Sequence, residues 1–194
     1  MVTRSLLAML LATLPLAGQA APGVEQAFDD LYSAASSQAA GASIPAAVFQ
    51  LARQRAAADP SPFANMGQLA NYLADDYSLY ARLHSEALRA HCQAQDVEIA
   101  PYLAALASGD DADARMADRI YARLGIAYEN IWQQLKPQVL GGMAGLVDRF
   151  ASELGEPASG LCARLASDPG GSARRLAYAS VRASRSQVLR AIAP

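Results

Sequence analysis

The sequence is poor in cysteine and lacks the common catalytic motifs, and each shortage excludes a class of protein. Two cysteines in 194 residues are too few for a disulfide-rich scaffold or a four-cysteine zinc site. Covalent haem attachment is excluded, because no Cys-x-x-Cys-His motif occurs. The Gly-x-Ser-x-Gly, Gly-Lys-Ser/Thr and Gly-x-Gly-x-x-Gly motifs of hydrolases and nucleotide-binding proteins are also missing. We therefore expect neither an enzyme nor a bound cofactor.

Histidine and net charge are equally scarce. The two histidines, His84 and His91, lie seven residues apart, which is about 10 Å along a helix and too far for both to bind one metal ion unaided. The sequence thus predicts no metal site. The formal net charge of -2 argues against general binding to nucleic acid.

Alanine and helical periodicity dominate what is present. The chain has 44 alanines within a hydrophobic fraction of 53%, and small helix-favouring side chains of this kind are typical of helices. Apolar residues recur with helical spacing, and no segment alternates like a strand. The pattern predicts an all-α protein, a single-domain antiparallel bundle of about seven helices over residues 21–194. Three of the predicted helices carry the candidate site residues, and they span about 63–95, 109–137 and 172–192.

The first twenty residues have the pattern of a secretory signal peptide. Arg4 precedes a mostly apolar run that is shorter than the roughly 20 residues of a membrane-spanning helix, and small residues follow Pro15. We expect cleavage between Ala20 and Ala21. The predicted location of the mature protein is the periplasm, or the medium if secretion goes further.

Export changes what the two cysteines are expected to do. Thiols tend to pair in an oxidising compartment, so we predict a disulfide between Cys92 and Cys162. The alternative is two buried free cysteines. A loop of about 70 residues closed in this way would stabilise the fold by about 4 kcal/mol in the chain-entropy model.

Polar side chains interrupt the apolar face of the long helix predicted over residues 63–95. Asp76, Tyr80 and His84 follow one another at intervals of four, so a hydrogen-bonded string along one groove is geometrically allowed. With Tyr72 they could line a pocket for a small molecule, in which Asp76 and His84 would be acid and base. The alternative is a structural network between helices.

Three aromatic residues form a second stripe on the helix predicted over residues 109–137. Tyr121, Tyr128 and Trp132 are spaced seven and four residues apart. An exposed stripe would suit contact with a protein partner, because Tyr and Trp are enriched in binding hot spots. The alternative is that the stripe belongs to the core.

Positive charge is concentrated at the end of the chain. Residues 169–194 contain five arginines and no acidic residue: Arg174, Arg175, Arg182, Arg185 and Arg190. A basic amphipathic helix of this kind can bind an anionic membrane surface or an acidic partner. The alternative is a helix that lies on the acidic surface of its own protein, where exposed ion pairs contribute little.

Together these patterns predict an exported periplasmic protein that is not an enzyme and binds a protein partner in the cell envelope. An adaptor, an inhibitor or an immunity-like module would all fit. A small-molecule-binding bundle with a pocket around Asp76, Tyr80 and His84 is one alternative. Peripheral association with the envelope through the arginine-rich helix is another.

Overall fold

The computed structural model describes residues 22–39, 43–58, 63 and 65–192, and every regular element in these ranges is a helix. The predicted all-α class is confirmed, although the described ranges hold eleven helices rather than about seven. The predicted signal peptide lies outside them. The helices are α1 (Pro22–Gln38), α2 (Ile44–Ala58), α3 (Met66–Arg82, continuing through a π-helical turn at Leu83–Leu88 to Arg89–Gln93), α4 (Ala100–Gly109), α5 (Asp111–Leu124), α6 (Tyr128–Gly141), α7 (Met143–Leu154), α8 (Leu161–Ser167), α9 (Pro169–Arg175), α10 (Tyr178–Val181) and α11 (Ala183–Arg190).

Helix α3 is the central element and matches the long helix predicted from the apolar period. It starts at Asn65, whose side-chain oxygen accepts a hydrogen bond from the backbone N–H of Gln68 at 3.0 Å. Leu69 and Leu73 are fully buried on its inner face. Helices α5, α6 and α11 all pack against it, so the side chains of α3 reach most of the bundle.

The helix predicted over residues 109–137 is wrong, because the chain turns between Leu124 and Tyr128. Gly125 has a φ of 67°, a conformation that glycine adopts without strain, and its N–H caps α5 by bonding to the carbonyl of Tyr121. The apolar period continues through this turn, which is why periodicity did not reveal it. The turn leaves Leu124 at the surface, 42% exposed.

The single basic helix predicted over residues 172–192 is also wrong, because the chain forms the three short helices α9, α10 and α11 there. The backbone is extended at Ala177, with ψ at 143°, and leaves helical geometry again at Arg182. The first break allows the backbone N–H of Tyr178 to donate to the buried carboxylate of Asp110 at 2.9 Å. A tertiary hydrogen bond therefore replaces the local helical one.

The disulfide between Cys92 and Cys162 is present and buried, as predicted. It joins the end of α3 to the start of α8, two segments 70 residues apart in the chain. Within the described part of the chain, no helix combines the length and hydropathy that crossing a membrane requires.

Candidate functional site

His84, one of the residues predicted to line a pocket, lies in the core. Its ring is fully buried and its centre is 4.3 Å from that of Phe150. Nδ1 forms a 2.7 Å hydrogen bond with the hydroxyl of Tyr102, while Nε2 has no hydrogen-bond partner. Desolvation by burial lowers the pKa of His84 to about 3, so the ring is neutral at physiological pH. A histidine sealed in this way cannot exchange protons with a substrate.

Asp76 and Tyr80 likewise form hydrogen bonds to a distant part of the chain, residues 176–178. The hydroxyl of Tyr178 donates to Asp76 at 2.7 Å, and the hydroxyl of Tyr80 donates to the backbone carbonyl of Leu176. The side chains of Asp76, Tyr80 and His84 therefore do not form the predicted hydrogen-bonded string, and the pocket around them stays a prediction. The structural network between helices, the alternative considered above, is what these residues form.

The aromatic stripe belongs to the core. Trp132 is fully buried and Tyr121 is 6% exposed, with its ring stacked on that of Tyr128 at 5.5 Å. The predicted partner surface made of these three residues is therefore wrong. Tyr121 lies on α5, Tyr128 and Trp132 lie on α6, and both helices pack against α3. Burial of Trp132 and Tyr121, with Tyr128 partly buried at the edge of the core, stabilises the bundle.

The arginines at the end of the chain mostly bond to the body of the protein, although Arg174, Arg175 and Arg190 are exposed. Arg190 donates two hydrogen bonds to the fully buried carboxylate of Asp113, at 3.0 and 2.6 Å. Ser186, one turn earlier in α11, donates to the same carboxylate at 2.9 Å. These three hydrogen bonds hold α11 against the first turn of α5.

Arg185 is the most buried of the five arginines, and its partners lie on α1 and α3. Its Nε donates to the Tyr72 hydroxyl at 3.0 Å, and its Nη2 lies 3.4 Å from a carboxylate oxygen of Asp29. The guanidinium also stacks over the ring of Phe28, 5.2 Å from its centre. The positive charge of Arg185 is therefore balanced by groups within the protein.

The other three arginines complete the pattern. Arg182 lies 3.8 Å from Glu25, and Arg175 donates to the backbone carbonyls of Glu153 and Leu154 at the end of α7. Arg174 is exposed. Four of the five arginines therefore bond to the body of the protein, and the contact with an anionic surface stays a prediction.

A groove open to solvent lies elsewhere, at the N-terminal half of α3. Its volume is about 520 Å³. Helix α3 forms one wall, α1 contributes to another, and the turn after α5 forms the rim. The described residues that line it are Val24, Phe63, Asn65, Gly67, Gln68, Asn71, Tyr72, Asp75, Leu124 and Ile126. We call it the α3 groove.

The floor of the α3 groove is polar. Asn71 donates through Nδ2 to Oδ2 of Asp75 at 2.8 Å, and the hydroxyl of Tyr121 donates to Oδ1 at 2.8 Å. Desolvation by burial raises the pKa of Asp75, although these two hydrogen bonds work in the opposite direction. The two hydrogen bonds therefore compensate only part of the cost of burying the negative charge of Asp75.

The rim of the groove is apolar. Leu124 and Ile126 flank Gly125, and Val24 lies on α1. Since Gly125 needs a positive φ, the turn holds Leu124 and Ile126 in place at the edge of the opening. Apolar side chains together with a few polar groups at one opening are typical of a binding site.

Among the residues that line the groove, Tyr72 is the one that the polar spacing on α3 predicts as a pocket residue. The spacing of Asn65, Gln68, Tyr72 and Asp75 places them on successive turns of one face of α3, and that signal was available in the sequence. The contribution of Leu124 was not, because it depends on the turn at Gly125.

Within the described ranges, no group of three or more histidine, cysteine, aspartate or glutamate side chains could hold a metal ion. No protein-family model matches the chain, and no curated protein or solved structure is significantly similar to it.

Proposed function

We propose that this chain is an exported, non-enzymatic binding protein of the cell envelope that holds a protein partner in its α3 groove. An adaptor, an inhibitor or an immunity-like module would each work in this way. The observation that carries the proposal is the groove itself, with an apolar rim, a polar floor and an exposed leucine at its edge.

The export part of the proposal is supported by two features. Residues 1–20 have the composition of a secretory signal, and the disulfide between Cys92 and Cys162 is of the kind that persists in an oxidising compartment. The periplasm, with secretion as the alternative, is the location that fits both.

The groove suits a segment of a protein partner because of its shape and its side chains. It is open along the surface, so an extended chain can enter without the protein unfolding. Asn65 brings a carboxamide group that can pair with peptide groups, and Leu124 offers an anchor for an apolar side chain.

A small molecule is the second candidate, and the volume of the groove favours it. About 520 Å³ falls within the roughly 300 to 1,000 Å³ that is usual for small-molecule sites. Association with the envelope through arginine is less well supported, because Arg185 and Arg190 are already bonded within the protein.

The experiment is native mass spectrometry of the protein purified gently from the envelope of its own host. Leu124 and Leu140 are 42% and 41% exposed, so Leu124→Asp and Leu140→Asp are matched changes inside and outside the groove. We expect a protein-sized added mass that Leu124→Asp removes and Leu140→Asp retains. A small added mass lost in the same way would replace the protein partner with a small ligand. A bare chain, or an added mass indifferent to both changes, would overturn the proposal.

A further inference from the structure

Asp75 differs from Asp76 and Asp113 because no arginine lies beside its carboxylate; the buried Asp110 also forms no ion pair among the described residues, but it does not line the α3 groove. Asp113 is paired with Arg190, and Asp76 lies 3.9 Å from Nε of Arg185. None of the ion pairs within the described part of the chain includes Asp75, whose hydrogen bonds come from the uncharged donors Tyr121 and Asn71. Its charge therefore lacks a counter-ion where the groove meets the body of the protein.

The neighbouring amide adds a second acceptor with no donor. The nitrogen of Asn71 is used by Asp75, and its oxygen, Oδ1, is buried without a hydrogen-bond partner. A buried acceptor left unpaired costs about 1 to 3 kcal/mol. Both residues line the groove, so a donor that reaches its floor meets the carboxylate of Asp75 beside this buried acceptor.

We propose that the α3 groove receives a lysine or arginine side chain of the partner, next to an apolar residue that packs on the rim. This inference rests on the proposed function and adds the chemistry of the partner segment. An ammonium or guanidinium group has donors and no acceptor, so it can pair with the carboxylate of Asp75 and supply the positive charge that this carboxylate lacks. Its aliphatic stem would lie along Tyr72 and Leu124.

The positive charge nearest to this floor does not oppose such a ligand. Arg185 bonds to the hydroxyl of Tyr72, but the carboxylates of Asp29 and Asp76 lie 3.4 and 3.9 Å from its guanidinium. Its charge is therefore balanced behind the groove wall, and Asp75 remains available to a second cation.

The test uses the disulfide-bonded protein, labelled with nitrogen-15, and three capped tripeptides followed by NMR. Acetyl-Leu-Lys-Leu-amide is the probe, the norleucine peptide is its neutral counterpart, and the glutamate peptide reverses the charge. Free pentylamine shows whether the cation alone is enough. We expect the lysine peptide to shift the amides of the groove and to bind about tenfold more tightly than the norleucine peptide.

Two substitutions of equal charge complete the design. Asp75→Asn keeps the shape and can still accept from Tyr121, whereas Asp118→Asn removes an exposed carboxylate elsewhere on α5. We expect Asp75→Asn to weaken the lysine peptide about tenfold and Asp118→Asn to leave it unchanged. A thermal melt of each variant shows that the fold is retained.

The outcomes separate the two proposals. Equal binding of the lysine and norleucine peptides would overturn the requirement for a cation and leave the groove as a binding site. Binding of pentylamine as tight as that of the lysine peptide would overturn a peptide partner in favour of a small amine. Shifts confined to residues outside the groove, or no shifts at all, would contradict this inference even where native mass spectrometry had shown a partner.

Discussion

Arg190 donates two hydrogen bonds to the carboxylate of Asp113, one from Nε at 3.0 Å and one from Nη2 at 2.6 Å. Asp113 is fully buried, whereas Arg190 keeps part of its side chain in solvent. This pair fastens the last helix of the described chain to the start of α5. Without it, a buried negative charge would have no counter-ion.

Replacing Arg190 should therefore destabilise the fold. We expect Arg190→Ala to lower the free energy of unfolding by about 2 to 3 kcal/mol, less than the roughly 3 to 5 kcal/mol of a fully buried pair because Arg190 is partly solvated. Urea denaturation measures the change. The matched control is Arg174→Ala, an exposed arginine, which should change stability by less than about 0.5 kcal/mol. Equal effects of the two changes would contradict the role given to Asp113.

The arginines show how far sequence reasoning reaches. Their concentration in residues 169–194 was visible, and so was the option that they face the body of their own protein. The choice between the two depended on Asp29, Asp76 and Asp113, which lie 77 or more residues away in the chain. The sequence shows which side chains are charged, but whether they are buried depends on the tertiary structure.

Acid should destabilise the protein through His84. The pKa of His84 is about 3 in the folded protein and about 6.5 when unfolded, so its contribution is complete above pH 6.5 and is lost as the pH falls toward 3. At about 1.4 kcal/mol per pH unit, the loss at pH 5 is about 2 kcal/mol. His84→Gln cannot titrate and can still accept from Tyr102. Relative to the wild type, this variant should gain about 2 kcal/mol between pH 7 and pH 5.

Urea denaturation of both proteins at the two pH values measures this gain. A difference in stability between wild type and His84→Gln that is the same at pH 7 and pH 5 would show that His84 is not sealed from solvent protons.

Asp110 should have the opposite pH dependence. Burial raises its pKa to about 6, although the backbone N–H of Tyr178 lowers it. Since the folded protein then holds this proton more tightly, the stabilisation is complete below about pH 4 and is lost as the pH rises through 6. Asp110→Asn keeps an acceptor for Tyr178 without the charge. We expect this variant to be more stable than the wild type at pH 7 and equally stable at pH 3.5, as thermal unfolding at each pH would show; lower stability at pH 7 would contradict this.

The disulfide should be a major support of the fold. Replacing Cys92 and Cys162 together by alanine should cost about 4 kcal/mol, since the bridge closes a loop of 70 residues. Urea denaturation of the variant and of the reduced wild type should give similar values. A loss below about 1 kcal/mol in both would mean that the unfolded chain gains little freedom without the bridge.

The boundaries of the helices were less predictable than their presence. The apolar period identified α3 as one long helix. It did not reveal the turn at Gly125, because the apolar period of residues 109–137 continues through it. The α3 groove depends on that turn, since it carries Leu124 to the rim. Regular apolar spacing in the sequence therefore cannot predict a binding site that depends on a turn within that spacing.

The most direct test of the binding site is photo-crosslinking in the envelope of the host. p-Benzoylphenylalanine is placed at Leu124 in one protein and at Leu140 in another, positions of nearly equal exposure inside and outside the groove. The account predicts a specific protein adduct from position 124, lost when Asp75→Asn is added, and no such adduct from position 140. Adducts of equal yield from both positions, or from position 140 alone, would contradict it.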